Sequence, residues 1–106
     1  MSTDTQDLIE ECDRLSHRLK HLQDLADSND RPPVAVHLLN ARARLNAVSA
    51  YPEAYEKPAI YGALDTTLME VKCALKACGE DDKELGANIA TTRDRLRDVL
   101  GSVTVP

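Results

Sequence analysis

Residues 8–26 read LIEECDRLSHRLKHLQDLA, and Leu8, Cys12, Leu15, Leu19, Leu22 and Ala26 recur there in alternating steps of four and three. A half-buried strand would alternate every second residue. This spacing instead places all six side chains on one stripe of an α-helix, with charge on the other faces. An unbroken heptad rhythm is that of a helix packed against other helices. Thr3, Asp4 or Thr5 can cap its start, and Asp7, Glu10 and Glu11 suit the positive end of its dipole. It ends at the polar turn Ser28-Asn29-Asp30-Arg31, closed by Pro32 and Pro33, which cannot extend a preceding helix.

The same rhythm returns three times downstream. Pro33 fits the first turn of a second helix whose stripe is Val34, Leu38, Ala41, Leu45 and Val48, stopped at Tyr51-Pro52. Pro58 opens a third, with Tyr61, Leu64, Leu68, Val71, Leu75 and Cys78 in step and Gly79 as a left-handed stop. Asp81 and Glu84 resemble a capping box for a fourth, with Leu85, Ile89, Thr92, Leu96 and Val99 on its stripe and Val103 able to prolong it. Gly86 and Thr91-Thr92 weaken that helix, and Gly101 frees a short tail.

The expected fold is therefore all-α, a small antiparallel bundle of four helices at about 5–27, 33–51, 58–78 and 82–100. It forms a single domain over 1–106, with short flexible ends at about 1–4 and 101–106. A three-helix core with a loosely docked or swapped fourth helix is the alternative. Composition agrees: fourteen Leu and thirteen Ala stand against three Ile, which favours helix over strand.

A net charge of −5 argues against non-specific binding of nucleic acid, which depends on clustered Lys and Arg. No apolar run approaches the roughly 18 residues that cross a bilayer, so no membrane partner is expected. The opening MSTDTQDLIEE is acidic and polar, the opposite of a signal peptide, and the cytoplasm is the expected compartment of this acidic protein. Three cysteines at irregular spacing do not make a disulfide framework. Cys12 and Cys78 lie on core stripes, whereas Cys73 falls off its stripe and should be an exposed thiol.

Few residues carry recognisable chemistry. His17-Arg18-Leu19-Lys20 resembles the His-x-Leu-Lys signature of histidine phosphotransfer domains, which are four-helix bundles of about this size. That resemblance implies a phosphoryl acceptor at His17, which points away from the seam, and a charge-offsetting Lys20. The chain departs from the pattern where the family has a glycine, which is His21 here, and in carrying the motif on the first helix. His17 and His21 are also four apart, a spacing that lets two imidazoles share a metal, yet nothing in sequence supplies a third ligand. No phosphate loop, nucleophile elbow or dinucleotide fingerprint is present. The chain reads as a non-enzyme with no catalytic residue, no cofactor and no metal site.

Contact with another protein is the remaining reading. All three aromatic residues, Tyr51, Tyr55 and Tyr61, fall in the segment YPEAYEKPAIY between the second and third helices. Tyrosine offers a large, stiff surface with a polar tip and is common at interfaces. Tyr51 and Tyr61 can close one end of the bundle, while Tyr55, between Glu53 and Glu56, has no periodic reason to be buried. Val36, Leu39 and Ile60 lie off their stripes, so helices two and three carry more apolar surface than a bundle consumes. From Arg31 to Pro52 there is no acidic residue, whereas acids outnumber bases on the first helix. Arg42 and Arg44 can pair with that helix or face an acidic partner. The expected partner-binding set is Val36, Leu39, Arg42, Tyr51, Tyr55, Ile60 and Tyr61, serving a homodimer through helices two and three or a different protein on the same surface. Bacterial antiactivators, which sequester a transcriptional regulator, and secretion chaperones are small acidic helical proteins of this type.

Overall fold

The computed structural model describes residues 5–102, which form four α-helices and no strand. Helix α1 spans Thr5–Ser28, α2 Pro32–Ala50, α3 Lys57–Cys78 and α4 Lys83–Ser102, with one 3-10 turn at Pro52–Ala54. The expected helices are all present, each within two residues of its anticipated ends. Thr3, Asp4, Val103 and most of the anticipated flexible ends lie outside the described residues. Gly101 and Ser102 remain helical, so α4 runs past the expected start of the tail. Short connections make successive helices antiparallel, and they close a ring in which α1 packs on α2, α2 on α3, α3 on α4 and α4 on α1. Within that ring the α1–α4 seam is much sparser than the α1–α2 seam. No helix among the described residues is long and apolar enough to cross a membrane.

The turns are built from identifiable hydrogen bonds. At the end of α1, Arg31 N–H reaches Ala26 C=O at 2.8 Å and Asp30 N–H reaches Asp27 C=O at 3.1 Å, the paired bonds of a Schellman motif. Asp30 takes the left-handed position at φ 55°, where glycine is commonest. Gly79 ends α3 at φ 60°, ψ −141°, a region almost closed to other residues, and its N–H bonds Leu75 C=O. The cap of α4 is Asp82 rather than the expected Asp81: its Oδ1 accepts the Leu85 N–H at 3.1 Å. Asp82 Oδ2 also accepts Asn29 Nδ2 at 2.6 Å, and Arg31 lies 3.5 Å from Asp81, so the α1–α2 and α3–α4 turns are tied together.

The stripes expected on α1, α2 and α4 are all buried, including Thr92, whose hydroxyl donates to Asn88 C=O at 3.0 Å. Helix α3 is rotated relative to expectation. Its core face is Ile60, Leu64, Thr67, Leu68, Val71, Ala74 and Cys78, while Tyr61 is exposed and Leu75 only half-buried. Thr67 and Ala74 share the side of α3 that carries Glu70, and Glu70 bonds His37 of α2 at 2.9 Å. Small residues there allow close approach to α2, and the Thr67 hydroxyl is satisfied by Ala63 C=O at 2.7 Å. Tyr61 and Leu75 lie off the core face, whereas Leu68 is buried as its stripe position predicts.

Two carboxylates make acid sensitivity predictable. Hydrogen bonding and charge from Arg95, at 2.7 Å, together with Arg14, hold the Glu11 carboxyl below its ordinary pKa. The Leu85 N–H and Asn29 amide do the same for Asp82. A depressed folded pKa stabilises the fold above the unfolded value and loses that contribution as pH falls through the folded one. The urea midpoint should therefore be level down to about pH 5 and fall below about pH 4. Glu11→Gln combined with Asp82→Asn should start lower at neutral pH and flatten the acid limb.

Candidate protein-binding surface

Five large apolar side chains are exposed among the described residues: Val36 (53%), Leu39 (40%), Tyr51 (66%), Tyr61 (37%) and Met69 (61%). Every one lies on α2, on α3 or at the junction between them; none is on α1 or α4. Val36 and Leu39 stand where their off-stripe positions put them. Met69 was missed by sequence reasoning, although its place off either stripe of α3 was the available signal.

Two members of the expected set are placed differently. Ile60 is fully buried, because the core phase of α3 passes through it rather than through Tyr61. It supports the surface from beneath and cannot be an exposed contact. The tyrosines exchange roles. The Pro52–Ala54 turn, held by Ala54 N–H to Tyr51 C=O and Tyr55 N–H to Pro52 C=O, folds the connection back so that Tyr55 packs on the core. Tyr51 is left pointing outward at the C-terminal end of α2, and Tyr61 is partly exposed.

Helix α2 keeps its arginines to itself. No ion pair links it to α1 among the described residues; the salt links between helices run from Glu11 to Arg95 on α4 and from His37 to Glu70 on α3. Among the described residues Arg42 and Arg44 have no ion-pair partner, and the Nε of half-buried Arg42, itself buried, has no hydrogen-bond partner. The pairing with α1 that sequence allowed is not made.

The positions singled out for chemistry stay apart. His17 is an exposed side chain 3.6 Å from Asp13, and Lys20 is held 2.8 Å from Asp24, one turn beyond it. No group of three His, Cys, Asp or Glu residues among the described ones could hold a metal ion, so His17 and His21 gain no third ligand. Cys12 and Cys78 are buried and Cys73 is exposed. Burial pushes the Cys12 thiol up to about 12, and burial with the nearby Asp82 charge raises Cys78. The clefts are open grooves. One of about 320 Å³ lies between the start of α1 and the end of α4, with Asp7, Glu11, Arg14, Arg95 and Asp98 on its walls. Of these, Arg14 and Arg95 both pair with Glu11.

This arrangement predicts selective thiol labelling, since only the thiolate reacts. N-ethylmaleimide should modify one cysteine of the native chain, Cys73, and all three after unfolding. Mass spectrometry of peptides reads this out, and a native Cys73→Ser variant should take up no label.

The chain matches no protein-family model, no curated protein and no solved structure.

Proposed function

We propose that this chain is a non-enzymatic regulatory protein that binds another protein through α2, the 3-10 turn and the outer side of α3. The observation that carries this reading is the confinement of every exposed large apolar side chain among the described residues to those elements. Apolar surface gathered on one half of a small molecule, with aromatic and arginine side chains among it, has the composition of a contact surface. The most concrete form is an antiactivator-like inhibitor that sequesters a partner such as a transcriptional regulator in the cytoplasm. The same surface closes a homodimer when the partner is absent. A secretion chaperone would use such a surface equally, and the identity of the partner separates the two.

The experiment is capture with a tagged full-length chain from its native cell, followed by mass spectrometry, with light scattering on the purified chain. A stoichiometric partner lost on Leu39→Asp supports the reading. No partner and an unchanged monomer for both wild type and variant would overturn it. Exposure of His17 keeps phosphotransfer as a second reading. Incubation with a phosphorylated receiver domain tests that one, and acid-labile phosphate on His17 would displace the first reading.

A further inference from the structure

We infer that the outward face of α2 is a docking strip for an acidic amphipathic helix of the partner. The inference rests on the proposed function and specifies the chemistry of what that surface binds. Opposite its core stripe, α2 carries Val36, Leu39, Ala43, Asn46 and Ala50, again in steps of three and four, and all five are exposed. They form a second heptad stripe, about 21 Å long at the rise of an α-helix. A helix apolar on opposite faces is one that an assembly buries on both. Ala43 and Ala50 leave room for a second helix to come close, with Val36 and Leu39 as the larger anchors.

Charge decides the occupant. No acid occurs between Arg31 and Pro52, and Arg42 flanks the stripe at the position from which coiled-coil helices pair across an interface. Arg44 is exposed and Arg42 half-buried, and neither has an ion pair among the described residues. A partner helix with Glu or Asp beside its apolar stripe satisfies both. A second copy laying its own α2 on this strip would bring arginine toward arginine, which like-charge repulsion opposes. The strip therefore favours an acidic partner over self-pairing of α2, so a homodimer on this surface is the weaker complex and gives way to that partner.

The test uses the full-length chain and two synthetic peptides of about 18 residues, enough for five helical turns. Both carry leucine at heptad spacing; one has glutamate on the flanks and the other lysine. Fluorescence anisotropy should show the glutamate peptide binding at least about tenfold tighter than the lysine peptide at low salt, a gap that narrows as salt rises. Arg44→Glu, on an exposed residue that does not threaten folding, and Arg42→Gln should each shrink it. Equal binding, tighter binding of the lysine peptide, or no binding by either overturns the inference. Leu39→Asp separates the two levels. If it abolishes binding of a peptide that shows no acidic preference, the surface stands and the acidic occupant falls. If the glutamate peptide binds regardless of Leu39→Asp, the surface itself is misplaced and both readings fall.

Discussion

Replacing Ile60 by alanine should destabilise the bundle by about 3 kcal/mol, while the same change at neighbouring Tyr61 should cost about 1 kcal/mol or less. Ile60 is fully enclosed, so its truncation removes apolar contacts and leaves a cavity that the packed helices fill only in part. Tyr61 is partly in water and loses less. For a chain of this size the difference appears as a thermal midpoint lowered by more than about 10 °C for Ile60→Ala and by only a few degrees for Tyr61→Ala. Circular dichroism melts of the two variants measure it. Reversed costs would mean that α3 faces the core through Tyr61 and Leu75 rather than Ile60, Thr67 and Ala74.

That pair of residues also marks where sequence reasoning reached its limit. Leu64, Val71 and Cys78 belong to either phase of α3, being seven apart. The choice rests on whether Tyr61 and Leu75 or Ile60, Thr67 and Ala74 join them. Hydropathy ranks Leu75 above Ala74, and nothing local reveals that α2 comes closest on the Ala74 side. A threonine whose hydroxyl bonds back to its own helix presents a methyl to the core, so Thr67 is less polar in place than its type suggests. On α1 and α4 a single apolar stripe left no such choice, on α2 the stripe through Leu38 and Leu45 outweighed the smaller residues opposite, and all members of these three stripes are buried.

The surface shows the same division. Val36 and Leu39 were legible because a helix turned by the core stripe must expose them. Tyr55 was not, because its position depends on a 3-10 turn that folds the connection back on the core. The unpaired arginines of α2 depended on interhelical geometry. Only the fold shows that Glu11 is taken by Arg95 and that α1 offers α2 no ion pair.

The second large effect is on binding. Leu39→Asp should weaken the purified complex with the captured partner by on the order of 30-fold, about 2 kcal/mol. An aspartate at Leu39 removes an apolar anchor, and in a complex it would place a carboxylate against the acidic partner. Val36→Asp, one turn away on the same stripe, should act alike, and the two together should add little if either already breaks the contact. Both residues are exposed, so melts should stay within a few degrees of wild type and separate lost binding from lost fold. Arg18→Glu on α1 serves as the control and should leave affinity unchanged. Calorimetry with the three variants reads out the contrast.

The most direct test of the central claim is differential hydrogen exchange of the full-length chain with and without its captured partner. Contact through α2, the 3-10 turn and the outer side of α3 predicts slowed exchange across residues 36–61, with α1 and α4 unchanged. Protection confined to the α1–α4 seam, with 36–61 exchanging as in the free chain, would contradict it.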